Sequence, residues 1–307
     1  MNVPTTKPLV TMLIVFYNQE KYAADAVRGA LSQDYENLEI ILSDDGSKDN
    51  TFKVLQKAVK NYNGPHKVIL NCNKPNLGIS NHFNKLIYEL SHGEYIVFAG
   101  GDDVSEPSRV STSVRFLEDH PKVQSVTFQS VQCNERLEKQ ERTTNDNLSP
   151  DSYSIYSMSD YCTFKDFIIH SGDSRTVRRS VARFFGPLTN AHEEDLEFFV
   201  RSFLLGQVGI IYKPMVLRRN HGDNTCHKPK PRKLRDDQYN QMYKDTTLAY
   251  EKGIINDVQY KAMLTKIAEI RDHFCTIDNR ARHMFAFRSI NYIIKVLTKL
   301  RDNVTSR

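Results

Sequence analysis

Several stretches of this chain carry side chains able to handle phosphate, metal or protons. The first is Gly100-Gly101-Asp102-Asp103, which closes the apolar run Tyr95-Ile-Val-Phe-Ala99. A strand that ends in two glycines and two acids delivers carboxylates to a sheet edge, and the glycines let another backbone or a ligand come close. Adjacent carboxylates repel one another and stay ionised most easily with a cation between them and a phosphate, and Mg²⁺ and Mn²⁺ suit such oxygen ligands. The same residues also read as a solvated turn. A second stretch, Asp44-Asp45-Gly46-Ser47, closes another apolar run and opens a segment rich in helix N-caps. A third, Glu193-Glu194-Asp195, crowds the start of a helix in which Leu196, Phe199, Val200, Phe203 and Leu204 fall at i, i+3, i+4, i+7 and i+8. Complementing the helix dipole accounts for one or two of those acids. Last comes Arg219-Asn220-His221. Arginine offers a planar fork to phosphate oxygens. Neutral histidine can ligate a metal, although a lone histidine also serves as an ordinary structural residue.

The elements that must position these groups alternate. Val10–Phe16 and Leu38–Ser43 read as strands, His66–Leu70 as a short one, and Tyr95–Ala99 as another. Between them, Tyr22, Ala23, Ala26, Val27, Ala30 and Leu31 recur at helical spacing, as do Phe52, Leu55, Ala58 and Val59, and a further helix runs from about Ser80 to Leu90. Strands alternating with helices predict an α/β fold with a doubly wound, mostly parallel sheet. Right-handed crossovers then gather Phe16-Tyr17-Asn18, Asp44-Asp45-Gly46 and Gly101-Asp102-Asp103 on one edge, where open α/β sheets bind ligands.

Composition narrows the class. The 307 residues suffice for one large α/β domain with an appendage or for two small domains, and the net charge of +5 is mild. The five cysteines, Cys72, Cys133, Cys162, Cys226 and Cys275, form no Cys-x-x-Cys pair, which argues against a zinc ribbon or disulfide framework and fits a reducing cytosol. Met1–Pro8 is short and polar, so no signal peptide is expected. No apolar run reaches the ~18 residues of a membrane span, so any membrane contact is expected to be peripheral.

In this order, Tyr17-Asn18, Asp44-Asp45-Gly46-Ser47, Asn76-Leu77-Gly78 and Gly101-Asp102-Asp103 resemble the family 2 glycosyltransferases, whose fold is called GT-A. The resemblance implies an inverting, metal-dependent transfer of a sugar from a nucleotide-diphosphate donor, with UDP favoured, to a hydroxyl on a glycan or lipid-diphosphate-linked saccharide. It places Phe16, Tyr17, Asn18, Asp44, Asp45, Gly78, Gly101 and Asp103 around the donor nucleotide, with Asp44 reading the base edge. It assigns Mn²⁺ or Mg²⁺ to Asp102 with His221, the diphosphate to Arg219, and the acceptor side to Ser171, Gly172, Asp173 and Glu194. Asp195 becomes the catalytic base. With Pro107 setting the register, the first acid of the family's Asp-x-Asp appears here as Gly100.

Beyond Val123–Phe128, a further strand, the pattern weakens, and Glu135–Asp160 reads as a long surface loop. Gln207–Tyr212 reads as a last strand, and His227–Arg235 as a basic, proline-broken linker. Helices are expected over Asp237–Lys252, Asn256–Phe274 and Asn279–Arg301, outside the family core. This divides the chain into a GT-A domain, 1–225, and a basic linker with a helical extension, 226–307. Between Asn279 and Arg301 lie Arg280, Arg282, Arg288, Lys295, Lys299 and Arg301 with no acid, which suits an anionic membrane surface and equally a helix packed with one solvated face. The implied setting is the cytoplasmic face of the cell membrane, in O-antigen or capsule synthesis. Nucleic acid is not expected as a partner. Nucleotidyl transfer is the enzymatic alternative, but Tyr17-Asn18-Gln19-Glu20 is unlike the glycine-rich phosphate loop it uses. A donor-binding but inactive protein, or a peripheral membrane-binding module, is the non-enzymatic one.

Overall fold

In a computed structural model, the described residues are 7–140, 149, 151–163, 172–189, 194–222, 224 and 232–278. Strands β1 (Val10–Phe16), β2 (Leu38–Asp44), β3 (Lys67–Cys72) and β4 (Tyr95–Gly100) pair in parallel in the order β3-β2-β1-β4. Their crossovers are α1 (Ala23–Leu31), α2 (Thr51–Val59) and α3 (Ile79–Asn84), which continues as a wider π-type turn over Lys85–Leu90. Apolar residues on both faces of β1 and β2 are buried, as central parallel strands require.

The rest of the sheet is mixed. After β5 (Val104–Ser105) and α4 (Arg109–Asp119) come β6 (Val123–Cys133), β7 (Tyr153–Tyr156), α5 (Met158–Thr163) and β8 (Thr176–Arg178). Then follow α6 (Arg179–Phe185), α7 (Glu194–Leu205), β9 (Gln207–Arg219), α8 (Arg232–Glu251) and α9 (Asp257–Asp278). β8 runs antiparallel to both β4 and β6, whereas β6 and β9 pair in parallel. β5 and β7 each pair antiparallel with β9.

Some expectations need correcting here. The strands expected to end at Phe128 and Tyr212 run on to Cys133 and Arg219. Pro214 does not end β9, because the ladder shifts register around Gln129 where that residue, lacking an N–H, faces it. Glu135–Asp160 is not all loop, since β7 and the start of α5 lie within it. The helices α8 and α9 follow at the C-terminus as expected, and they pack into the domain. Their Tyr239, Met242, Ala249, Met263, Ile267 and Ile270 share one core with Phe83, Leu86 and Phe98 and with Phe198 and Phe199 of α7. A second core, on the other sheet face, contains Val27, Leu55 and Val110 of α1, α2 and α4. Residues 279–301, along with Ser171 and Glu193, lie outside the described residues. No helix among the described residues is long and apolar enough to cross a membrane.

Candidate active site

The carboxyl ends of β1, β2 and β4 bring the first acids together. The turn after β4 is shaped by its glycines: a Cβ at Gly101 would overlap the Phe16 ring and Gln19, and one at Gly100 would stand 2.9 Å from Asp102 Oδ1. Asp102 Oδ2 lies 3.0 Å from His221 Nε2 and accepts from Asn224 Nδ2 at 3.2 Å. The His221 ring rests on Tyr22, with centroids 4.5 Å apart. Asp103 turns inward and accepts the Arg219 amide at 2.8 Å. Burial first, then the carboxylates of Asp102 and Asp173, push the Asp103 pKa well above the ordinary range.

Arg219, expected at the diphosphate, is a fastener in this structure. Its Nε donates to the Asp102 carbonyl at 2.9 Å, its Nη2 to Asp25 Oδ2 at 2.8 Å, and its Nη1 to the Glu135 carbonyl. The guanidinium lies 4.7 Å from the Tyr22 ring centroid. It thus ties the Asp102 turn to α1 and to the end of β6.

Beside these acids, the loops after β1, β2 and β3 lock one another. Asn18, at φ +54°, donates its amide to Ser47 Oγ at 2.8 Å and accepts the Lys48 amide on Oδ1 at 2.8 Å. Asp44 accepts from the Ser47 amide and hydroxyl. Asp45 Oδ1 accepts from Asn73 Nδ2 at 2.9 Å and the Leu77 amide at 3.0 Å, and Oδ2 accepts the Gly78 amide at 3.0 Å. Gly78 needs its glycine, since it opens α3 at φ +74°. Tyr17 is 46% exposed and offers a free ring face, whereas the Phe16 ring is buried and only its backbone reaches the edge, accepting the Asp45 amide at 2.9 Å. The Asp45 carboxylate thus holds the Asn76-Leu77-Gly78 loop.

The third group stands where β8 meets α7. Arg175 is wholly buried, accepts the Phe98 amide on its carbonyl at 2.9 Å, and donates Nη1 to the Asp195 carbonyl. Burial lowers its pKa, while Asp195, Glu194 and Asp173 favour its charge. Among the described residues, Asp195 Oδ1 is buried without a hydrogen-bond partner, and so is Asp173 Oδ1. Glu194 is pushed well above the carboxylate range by burial, then by the charge of Asp195 and a hydrogen bond to it. Asp173 Oδ2 accepts from Ser130 Oγ at 3.4 Å and lies 3.8 Å from Arg218 Nε. Gly172 opens the short 3₁₀ turn that carries Asp173. Beneath both groups, Arg109 donates Nη2 to the Phe98 carbonyl at 2.6 Å and Nη1 to Ser105 Oγ at 2.9 Å, and burial brings its pKa down to about 10. Sequence reasoning missed Arg109, Arg175, Tyr22, Asn73 and Asn224. Arg175 had a signal, since it follows Asp173 by two positions and immediately precedes β8.

The family model described as Glycosyl transferase family 2 matches residues 11–185. The chain belongs to that family. EpsE of Bacillus subtilis (strain 168), designated a glycosyltransferase, is 38% identical over 121 residues, covering 39% of this chain and 42% of EpsE. The chondroitin synthase of Pasteurella multocida (strain Pm70) is 30% identical over 230 residues, covering 72% of this chain and 22% of the synthase. The matches thus span less than half the length of these relatives. Among solved structures, S. aureus TarS 1-349 in complex with UDP-GlcNAc superposes with a TM-score of 0.62 at 14% identity, covering 94% of this chain and 76% of that one. The mannosyltransferase PcManGT from Pyrobaculum calidifontis, in complex with GDP-Man and Mn2+, gives a TM-score of 0.56 at 15% identity, covering 91% of this chain and 77% of that one. These superpositions establish the GT-A fold.

Proposed function

We propose that the chain transfers a sugar, with inversion, from a nucleoside-diphosphate donor to a hydroxyl of a glycan or lipid-linked saccharide during surface-polysaccharide synthesis. The observation that carries this reading is the gathering of Asp44, Asp45, Asp102 and Asp103 where the parallel strands end, with Asp195 hung on the same framework by Arg175. UDP is the favoured nucleotide, and TarS, a structural neighbour, is known in complex with UDP-GlcNAc. The exposed Tyr17 ring stacks on or hydrogen-bonds the base, and Asp44 reads its edge. Asp195 Oδ1, lacking a partner among the described residues, accepts the proton of the acceptor hydroxyl. Glu194 stands beside it, its pKa raised by burial and by the neighbouring Asp195. Asp173 and Gly172 border the acceptor side, and Ser171 is assigned there from its sequence alone.

A divalent cation fits the donor set. Asp102 Oδ2 and His221 Nε2, at 3.0 Å from one another, offer one carboxylate and one imidazole, a mixture that favours Mn²⁺ over Mg²⁺. Asp102 and His221 would hold part of the ion's shell, with room left for ligand and water oxygens. When bound, the ion neutralises the leaving diphosphate as a Lewis acid. Arg219 holds Asp102 in place for this, rather than contacting phosphate itself.

A thermal-shift panel of UDP, GDP, dTDP and CMP, with and without Mn²⁺, tests the reading on wild type and Asp102→Ala. A nucleotide at 100 times its dissociation constant adds about 2.7 kcal/mol. We expect one diphosphate to stabilise the wild type in the presence of metal and to lose that effect in Asp102→Ala. No stabilisation by any nucleotide of the folded protein would overturn it. The basic segment 279–301 is proposed to contact the anionic inner face of the cell membrane, each cation contributing about 1 kcal/mol. Removing residues 279–307 should abolish sedimentation with phosphatidylglycerol-containing vesicles, and unchanged sedimentation would end that assignment.

A further inference from the structure

The family match ends at Phe185, and the loop that follows it toward α7 is held in part by residues beyond the match. The loop Gly186–Thr189 is gripped from three helices. From α3, Asn84 makes a two-way bond with Leu188, donating Nδ2 to its carbonyl at 2.8 Å and accepting its amide on Oδ1 at 2.8 Å. From α7, Arg201 donates Nη1 to the Gly186 carbonyl at 3.0 Å. From α8, Gln241 Oε1 accepts the Thr189 amide at 3.1 Å and also the Thr189 hydroxyl. The α7 and α8 grips are themselves joined: Asp245 accepts Arg201 Nε at 2.6 Å on one oxygen and Gln241 Nε2 at 2.8 Å on the other. Arg201, Asp245 and Gln241 are buried, so the bonds among these three are shielded from water. The α3 end of this chain of contacts begins at Gly78, whose amide is held by Asp45. One connected network therefore spans the donor loops, the loop before α7 and α8.

We propose that Gln241 and Asp245 of α8 are positioning residues for Asp195, setting where the first turn of α7 stands relative to the donor half. This rests on the reading of Asp195 as the base. Asp195 lies in the first turn of α7, and Arg201 follows it on the same helix. Tilting that helix moves the Asp195 carboxylate while the backbone ladders of β1–β4 stay paired. A misplacement of the order of 1 Å costs about 10²-fold in rate, so small losses of constraint register in turnover before they register in donor binding.

The test uses the full chain and compares wild type with Gln241→Met, Thr189→Val and Thr189→Ser. Gln241→Met keeps the bulk and removes the bonds. Thr189 is exposed, so neither of its variants threatens folding. Hydrogen–deuterium exchange is read by mass spectrometry in peptides over 194–205 and over β1–β4. Nucleotide release is followed from UDP-N-acetylglucosamine and from GDP-mannose. Gln241→Met, and to a smaller extent Thr189→Val, should speed exchange in the first turn of α7 and leave β1–β4 unchanged. For Gln241→Met, kcat should fall about 10- to 100-fold at constant donor KM. Thr189→Ser, which keeps the hydroxyl, should match wild type. Unchanged α7 exchange in a folded Gln241→Met protein overturns the proposal, with or without turnover of these donors. Faster exchange throughout the sheet, with kcat and donor affinity falling together, also overturns it, since that is loss of stability alone. Asp195→Asn is the separate control. It should lose about 10²- to 10⁴-fold in turnover with α7 exchange unchanged, and if it stays active the base assignment fails while the exchange result stands by itself.

Discussion

Single side chains in this protein divide into those that face the site and those that hold the sheet below it. Glu39 is of the second kind. It is buried at the opposite end of β2 from Asp44 and accepts from Thr11 Oγ1 at 2.6 Å and the His92 amide at 2.5 Å, with His92 Nδ1 at 3.2 Å. Burial alone would raise its pKa, but those hydrogen bonds outweigh burial and leave it below the usual glutamate range. A folded-state pKa below the unfolded one contributes stability that is present above the unfolded value and lost as pH falls through the folded one. Glu39→Gln should therefore be less stable than wild type at pH 7 in urea unfolding, with the gap closing below about pH 4. A gap that stays constant down to acid pH would show that the charge of Glu39 contributes nothing. Nothing in the sequence signals this, because Glu39 sits among apolar strand residues and its partners come from β1, from Lys67 of β3 and from the loop before β4. The acids at the strand ends were legible for the opposite reason: glycine, asparagine and serine beside each one mark a turn. What stayed hidden there was the division of labour, in which Asp102 faces His221 while Asp103 and Arg219 hold the turn from inside.

Between elements, legibility followed periodicity. β1, β2 and β4 are apolar runs with turn residues behind them, and the structure has them at nearly the expected bounds. β7 carries only Tyr153-Ser-Ile-Tyr156 and is a strand because β9 offers it an edge, pairing Tyr153 with Ile211 and Tyr156 with Val208. A strand so short has no period of its own, and its existence is a tertiary fact. The junction of α7 with α8 was equally hidden, since charged residues on an amphipathic helix read as its solvated face. Arg201 is instead buried against Asp245, with its guanidinium 5.4 Å from the Phe185 ring centroid and 5.6 Å from that of Phe198. Removing one member of such a pair leaves a buried charge uncompensated, at about 3–5 kcal/mol, whereas replacing both by apolar residues is often neutral. Asp245→Ala should lose about that much in urea unfolding, and Arg201→Met with Asp245→Leu should recover most of it. If the double variant is as unstable as the single, the ion pair itself, and not the removal of an orphaned charge, is what stabilises the junction.

At the level of the whole molecule, the boundary expected near residue 225 does not coincide with a boundary in the packing. Met242 of α8 and Met263, Ile267 and Ile270 of α9 are buried in the same core as Phe83, Phe98 and Phe199. Fully burying side chains of this size contributes about 1.5–3 kcal/mol each. Those four alone then approach the roughly 5–15 kcal/mol that separates a folded domain from its unfolded chain. Helix α7 suffers most without this cover, because Phe198, Phe199, Phe203 and Leu204 all turn to the same core. A chain ending before Arg232 keeps every strand and every strand-end acid, yet it should fail to unfold cooperatively on heating or should aggregate on expression. A cooperative transition within a few degrees of the full chain, with nucleotide still stabilising it, would make α8 and α9 a separate unit after all. The two outcomes also bear on the chemistry. If α8 and α9 belong to the fold, helix α7 with Asp195 stands where it does because of residues beyond the family match, and any shortened form of the enzyme must end after α9 to retain its geometry.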